Sequence, residues 1–123
     1  MIYRKIAEFE KDFKKIKKRF ASIDSDFENM KKYVLEMYYV KNVPTTAIVE
    51  IEGFCGNEYT SNKIRKFSCK AMKGKGSQSG IRVIYVYESI TQEITFIELY
   101  FKGDKPNEDR VRLKNFLKGL EIE

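Results

Sequence analysis

The chain has 123 residues, with 24 lysines and arginines against 18 aspartates and glutamates, and it contains no histidine. This length fits one domain, residues 1–123, and an apolar content of 42% is sufficient for a buried core. The absence of histidine excludes histidine-dependent catalytic triads and HExxH zinc proteases. No segment reaches the ~18 consecutive apolar residues of a membrane span, and the first residues lack the apolar core of a signal peptide. We therefore expect a cytoplasmic protein without a membrane partner.

The two cysteines do not predict a metal site or a disulfide framework. Cys55 and Cys69 are isolated thiols without a CxxC pair. A zinc site or a disulfide scaffold needs more ligands or more cysteines than this. We expect the chain to bind no metal and no cofactor.

The first 40 residues predict a short strand followed by two amphipathic helices. Residues 1–7 alternate as a strand does. Apolar residues then recur at helical spacing in two stripes, Phe9, Phe13, Ile16 and Phe20, and Ile23, Phe27, Met30, Val34 and Met37. Ser25 and Glu28 have the spacing of a capping box at the start of the second helix. The two stripes predict a helical hairpin that lays its apolar faces on one surface.

The remainder of the chain predicts a loop, three antiparallel strands and a last helix. Residues 42–62 contain Pro44 and predict a loop with a short extended segment. Alternating apolar residues predict a strand over 66–72, and a glycine-rich hairpin turn over 74–80 follows it.

Two β-rich strands are predicted over 81–88 and 94–102, and the final helix begins after the turn at 103–107. The buried stripe of that helix consists of Leu113, Phe116, Leu117 and Leu120. The expected fold class is α+β, with a small antiparallel sheet packed against an N-terminal helical hairpin and a C-terminal helix.

The net charge of +6 is unevenly distributed. The segment from Lys63 to Arg82 contains seven basic residues and no acidic residue. Such a segment favours binding to a polyanion or to an acidic protein. Binding to RNA would weaken steeply with salt, because each neutralised phosphate releases counterions.

Five segments of the chain resemble RelE-type toxins of toxin–antitoxin modules. Three adjacent ones are KFSCK at 66–70, the GKGSQSG turn at 74–80 and RVIY at 82–85. FEKDFKKI at 9–16 resembles the first helix of that family, and YFKGD at 100–104, with NED at 107–109, resembles the end of its last strand and the start of its last helix. The resemblance covers most of the chain and is weakest over 38–62. It implies a toxin that cleaves mRNA, often in the ribosomal A site, and that an antitoxin silences.

Metal-independent RNA cleavage needs a base for the 2′-hydroxyl, cations for the phosphorane, and an acid or cation for the departing 5′-oxygen. A lysine crowded by other cations could act as the base. The predicted strand places Lys66 and Lys70 on one face, and Arg82 on the neighbouring strand could bind the phosphate bidentately. The expected catalytic residues are Lys66, Lys70, Arg82, Tyr100 and Lys102. The expected RNA-binding residues are Lys63, Arg65, Lys73, Lys75 and Tyr85.

Two other functions are compatible with the same fold. The first is a ParE-like toxin that inhibits DNA gyrase by binding and cleaves nothing. The second is a non-catalytic RNA-binding or interaction module. Under either toxin interpretation we expect a cognate antitoxin whose acidic or amphipathic segment lies across the basic segment or adds to an exposed sheet edge. The ribonuclease interpretation also implies mRNA and the ribosome as partners.

Overall fold

The computed structural model describes the backbone of residues 1–122 and the side chains of residues 1–120. The fold is α+β, with helices packed on both faces of a five-stranded mixed sheet. The elements are β1 (Ile2–Lys5), α1 (Ala7–Arg19), α2 (Ile23–Met30), a π-helical turn (Lys31–Leu35), α3 (Glu36–Tyr39), β2 (Ile48–Glu50), β3 (Tyr59–Ile64), β4 (Ile81–Glu88), β5 (Glu93–Phe101) and α4 (Arg110–Ile122). Within residues 1–122, no helix combines the length and the apolar character that crossing a membrane requires.

The strands lie side by side in the order β1-β5-β4-β3-β2. Strands β2 to β5 pair in antiparallel fashion, whereas β1 runs parallel to β5, so the sheet is mixed and not wholly antiparallel. The chain enters α1 directly after β1, so no hairpin turn sets the direction of this strand. Instead β1 pairs with the edge of β5 that would otherwise be left open.

The prediction of a strand over 66–72 is wrong. The strand that pairs with β4 is β3, where Ile64 lies opposite Val83, and residues 65–80 form a long connection between the two strands. The alternating burial of Phe67 (1% exposed) and Cys69 (3%) arises because this connection folds over the core. Ser79 Oγ anchors it by donating a hydrogen bond to the Phe67 carbonyl at 2.5 Å. The glycine-rich segment is therefore part of a long loop and not the tip of a hairpin.

The second helix follows its predicted stripe only as far as Met30. Ile23, Phe27 and Met30 are buried, but the next fully buried residue is Leu35 and not Val34. The π-helical turn over Lys31–Leu35 causes this shift, because an i→i+5 turn inserts one residue into the helical repeat. The predicted stripe therefore ends on Met37, which is exposed.

The start of the second helix also differs from the prediction. Ser22, and not Ser25, occupies the N-cap position, and no Ser25–Glu28 capping box forms. Ser22 Oγ donates to Asp26 Oδ2 at 2.6 Å and accepts from the backbone N–H of Ala71 at 2.8 Å. The hydroxyl thus joins α2 to the connection 65–80.

Apolar side chains cover both faces of the sheet. On one face, the rings of Phe9, Phe27 and Phe96 pack with centroids between 4.8 and 5.6 Å apart. Burial of each ring contributes about 1.5–3 kcal/mol to the stability of the fold. On the other face, Leu113 and Leu117 of α4 pack against the sheet, as the predicted stripe requires. The site described next lies at the end of the sheet beside α4.

Candidate functional site

Arg82 lies near the beginning of β4, directly opposite Tyr100 of β5. Its Nη1 atom donates to the carbonyl oxygen of Arg65 at 2.9 Å and to that of Ile81 at 3.4 Å. Among residues 1–120, no carboxylate lies within ion-pair distance of this guanidinium. Both hydrogen bonds use Nη1, so the donors on Nη2 and Nε are available for an anion.

Tyr100 is buried, with 5% of its surface exposed, and it lies between cations and carboxylates. The Lys105 ammonium is 5.1 Å from the centroid of its ring. Burial, followed by the charges of Glu108 and Glu98, raises the pKa of Tyr100 to about 12, although Arg82 opposes the increase. The phenol is therefore protonated at neutral pH, and the raised pKa makes it a weaker acid than a free tyrosine.

Lys102 follows Tyr100 at the end of β5 and is exposed. Its backbone N–H donates to the Gly80 carbonyl at 2.8 Å, which extends the β4–β5 pairing by one hydrogen bond. Three of the five expected catalytic residues, Arg82, Tyr100 and Lys102, thus lie on one end of two adjacent strands.

Lys66 and Lys70 lie in the connection 65–80 and not on a strand, so the predicted strand face that would carry them does not form. Lys66 Nζ donates to Thr46 Oγ1 at 2.6 Å, and the backbone N–H of Lys70 donates to Asp26 Oδ2 at 3.2 Å. Both lysines line a groove of about 300 Å³ between α2 and the connection 65–80. That groove lies toward the helical hairpin, whereas Arg82 and Tyr100 lie toward α4.

The four expected RNA-binding cations fall into three kinds of environment. Lys63 is half-buried and pairs with Glu108 Oε1 at 2.6 Å, so its charge is already compensated. Arg65 is exposed and donates from Nε to the Thr46 carbonyl at 2.9 Å. Lys73 and Lys75 are exposed in the connection 65–80.

Tyr85 cannot stack on RNA from its position in the structure. It is fully buried, and its hydroxyl shares a hydrogen bond of 2.8 Å with the hydroxyl of Tyr39. Burial raises the pKa of Tyr85 well above that of a free tyrosine. Its position identifies this residue as part of the core.

Seven cations around the site have no carboxylate within 4.0 Å among residues 1–120. We call this set the basic rim; it consists of Arg65, Lys66, Lys70, Lys73, Lys75, Arg82 and Lys102. Several lysines of α1 are also unpaired, but they share that helix with three acidic residues. Six of the seven rim cations differ because they lie in the segment 63–82, which contains no acidic residue at all. Its positive potential is therefore available to an anionic partner.

Charged residues beside the basic rim form ion pairs that the sequence analysis missed. Glu98 is 1% exposed and accepts hydrogen bonds from Lys105 Nζ and, at 2.7 Å, from the backbone N–H of Asp109. Arg112 Nη1 pairs with Asp12 Oδ2 at 2.6 Å. The signal that could have revealed Glu98 is its position as the one carboxylate in the interior of a largely apolar strand, since a buried carboxylate requires a partner.

Glu108 is the centre of this ion-paired group. Burial raises its pKa, but hydrogen bonds from Lys63 and Arg110 outweigh burial and hold the pKa at about 2. The carboxylate is thus charged at neutral pH and fixes the segment before α4 against β3.

Within the described residues, no three His, Cys, Asp or Glu side chains are grouped so that they could hold a metal ion. Comparisons of the chain with protein-family models, curated proteins and solved structures found no match.

Proposed function

We propose that this protein is the toxin component of a toxin–antitoxin module and that it cleaves mRNA without a metal ion. The observation that carries the proposal is the basic rim, whose seven cations have no carboxylate partner among residues 1–120. The rim includes Arg82 and Lys102, and Tyr100 lies opposite Arg82 on β5; these three residues supply the groups that phosphate-ester cleavage requires. The resemblance of 66–85 and 100–109 to RelE-type toxins supports the same conclusion.

In the proposed reaction, the 2′-hydroxyl of the RNA attacks the adjacent phosphorus. The 2′-hydroxyl proton passes to solvent water, while Arg82 and the Lys102 ammonium bind the non-bridging oxygens as negative charge develops on them. Tyr100 gives its proton to the 5′-oxygen as the phosphorus–oxygen bond breaks. The products are a 2′,3′-cyclic phosphate and a 5′-hydroxyl end, so no water molecule is consumed.

The antitoxin is the second partner in this proposal. An acidic or amphipathic segment would neutralise the basic rim and so compete with RNA for the same cations. Cleavage of mRNA on the ribosome would place the protein in the cytoplasm.

The test is primer extension on a defined mRNA in a cell-free translation extract, with ribosomes present or absent. The wild-type protein should create discrete new 5′ ends that require ribosomes, and Arg82→Ala should not. Arg4→Ala is the matched control, because Arg4 is an exposed arginine paired with Glu93, at the end of β5 opposite to Tyr100. Thermal unfolding of each variant would verify that it folds.

An intact message with the wild-type protein would contradict the proposal. Inhibition of DNA supercoiling in the same preparation would then identify a gyrase inhibitor. Equal cleavage by the wild-type protein and Arg82→Ala would remove Arg82 from the active site.

A non-catalytic RNA-binding module is the second candidate function. It is favoured by the separation of Lys66 and Lys70 from Arg82 and by the burial of the Tyr100 ring. Its signature is RNA binding that weakens with salt, together with an uncut message at protein concentrations that saturate the RNA.

A further inference from the structure

The groove that Lys66 and Lys70 line has no part in the cleavage step described above. It lies between α2 and the connection 65–80 and has a volume of about 300 Å³. Its floor includes Met30, Ala47 and Phe67, which are each less than 9% exposed. The groove thus combines an apolar floor with two lysines at its rim.

An exposed aromatic ring completes one wall of this groove. Tyr33 is 64% exposed, an unusual environment for a large aromatic side chain. The Lys32 ammonium lies over this ring, 5.3 Å from its centroid, although Lys32 does not line the groove itself. Proteins bind single-stranded nucleic acids with exposed rings beside cations: the bases stack on the aromatic faces, and the phosphates contact the lysines.

The groove also contains a carboxylate, which does not oppose this arrangement. Asp26 is 3% exposed, and its Oδ2 atom accepts hydrogen bonds from Ser22 Oγ and from the backbone N–H of Lys70. These donors compensate its charge and hold the connection 65–80 against α2. Asn29, also in the lining, offers an amide that can hydrogen-bond to a base edge.

The groove is connected to the proposed cleavage site by two consecutive residues. The Arg82 guanidinium donates to the carbonyl of Arg65, and the next residue, Lys66, reaches the groove. Arg65 and Lys66 are both exposed cations, so positive charge continues from Arg82 toward the groove on the hairpin side. This continuity favours RNA over a short acidic peptide as the occupant.

We propose that this groove is a nucleotide-binding subsite, in which a base of single-stranded RNA stacks on Tyr33 while Lys66 and Lys70 bind the flanking phosphates. The inference rests on the proposed function, since it assumes that RNA is the ligand of the basic rim. It assigns to Lys66 and Lys70 a role in substrate binding, away from the reacting phosphate.

The test measures fluorescence anisotropy of a labelled single-stranded RNA that carries 2′-O-methyl groups and so cannot be cleaved. Tyr33→Ala should raise Kd about 10-fold, the usual effect of removing one stacking platform. Tyr33→Phe, which keeps the ring, should stay within about two-fold of the wild type. Tyr38→Ala is the control, because Tyr38 is exposed on the following helical turn and does not line the groove.

The dependence of RNA binding on salt distinguishes the contribution of the Tyr33 ring from that of the two lysines. Lys66→Ala with Lys70→Ala should reduce the slope of log Kd against log salt by about 1.4, or ~0.7 for each lost phosphate contact. Tyr33→Ala should leave that slope unchanged, because a stacked base releases no counterion. A variant that merely unfolded would not change Kd and the salt slope independently of each other.

Three results would overturn the subsite. If the wild-type protein binds RNA and Arg82→Ala weakens binding but Tyr33→Ala does not, the groove is not part of the RNA path, although the proposed function stands. If the wild-type protein binds no RNA, both proposals fail together. If Tyr33→Ala abolishes binding of a labelled glutamate- and leucine-rich peptide but not of RNA, the groove binds an acidic protein segment.

Discussion

Two neighbouring regions of the molecule use charge in opposite ways. In the basic rim, exposed cations contact carbonyl or hydroxyl oxygens or lie free in solvent. Beside it, a group that we call the paired cluster matches its cations to two buried carboxylates and one half-buried carboxylate. The paired cluster consists of Asp12, Lys63, Glu98, Lys105, Glu108, Arg110 and Arg112. The comparison indicates that the paired cluster holds the fold together, whereas the basic rim is available to a partner.

The difference follows from the cost of burying charge. The Glu98 and Glu108 side chains are each 2% exposed, so each carboxylate requires a cation or N–H donors in the folded protein. The rim cations stay hydrated and need no such compensation. Substitutions in the two regions should therefore have opposite effects on stability and on function.

The largest expected effect on stability comes from breaking the paired cluster at Glu98. Glu98→Ala removes the acceptor for Lys105 and for the backbone N–H of Asp109. Because both donors lose a partner, the free energy of unfolding should fall by about 3 kcal/mol in urea denaturation. Glu52→Ala, which changes an exposed glutamate, is the control and should stay within about 0.5 kcal/mol. Equal losses in the two variants would contradict a structural role for the paired cluster.

Tyr100 lies where the two regions meet, and its hydroxyl should matter for cleavage more than for stability. Tyr100→Phe keeps the ring that packs against Lys105 but removes the proton donor. The single-turnover rate of RNA cleavage should fall about 100-fold, as expected for loss of a general acid. Tyr38→Phe is the control on an exposed ring. An unchanged rate would assign the proton to another group.

Glu108 should make stability depend on pH. Its pKa is about 2 in the folded protein and 4.5 ordinarily, so its contribution is complete above pH 4.5 and is lost as the pH falls toward 2. Between pH 5 and pH 2.5, the Tm of Glu108→Gln should therefore fall by less than the Tm of the wild type. Glu52→Gln should follow the wild-type curve. Parallel curves for the wild type and Glu108→Gln would show that the ion pairs of Glu108 do not stabilise the fold.

The smallest effect on stability is expected in the basic rim itself. Lys73→Ala with Lys75→Ala should change the free energy of unfolding by no more than about 0.5 kcal/mol, because both side chains are exposed. Urea denaturation measures this directly. A loss above about 1 kcal/mol would mean that these lysines have structural partners. It would contradict the claim that the paired cluster stabilises the fold and the basic rim does not.

The sequence was most informative where burial is uniform along an element. The strand predicted over 81–88 is β4, and the one predicted over 94–102 differs from β5 by one residue at each end, because both are apolar on both faces. β3 escaped prediction because its polar residues Ser61 and Asn62 are buried only once β3 lies between β2 and β4 in the sheet. The π-helical turn could not be predicted, because the spacing of apolar residues in the sequence gives no sign of it.

The candidate site was predicted in part. Arg82 was identified because a charge at the start of an apolar strand needs a partner, and the structure supplies carbonyl oxygens. Lys66 and Lys70 were assigned to a strand because the apolar residues Phe67 and Cys69 alternate with polar residues. A loop that folds over the core produces the same alternation of buried and exposed residues. Glu98 and Glu108 were missed since their partners come from residues that only the fold brings together.

The measurement that tests the central claim most directly is the salt dependence of binding to a non-cleavable single-stranded RNA. Arg65→Ala with Arg82→Ala removes two rim cations, whereas Lys63→Ala with Arg110→Ala removes two cations of the paired cluster. The account predicts that the slope of log Kd against log salt falls by about 1.4 in the rim variant and stays unchanged in the cluster variant. Equal slopes in both variants and the wild type would contradict the claim that the unpaired rim binds RNA.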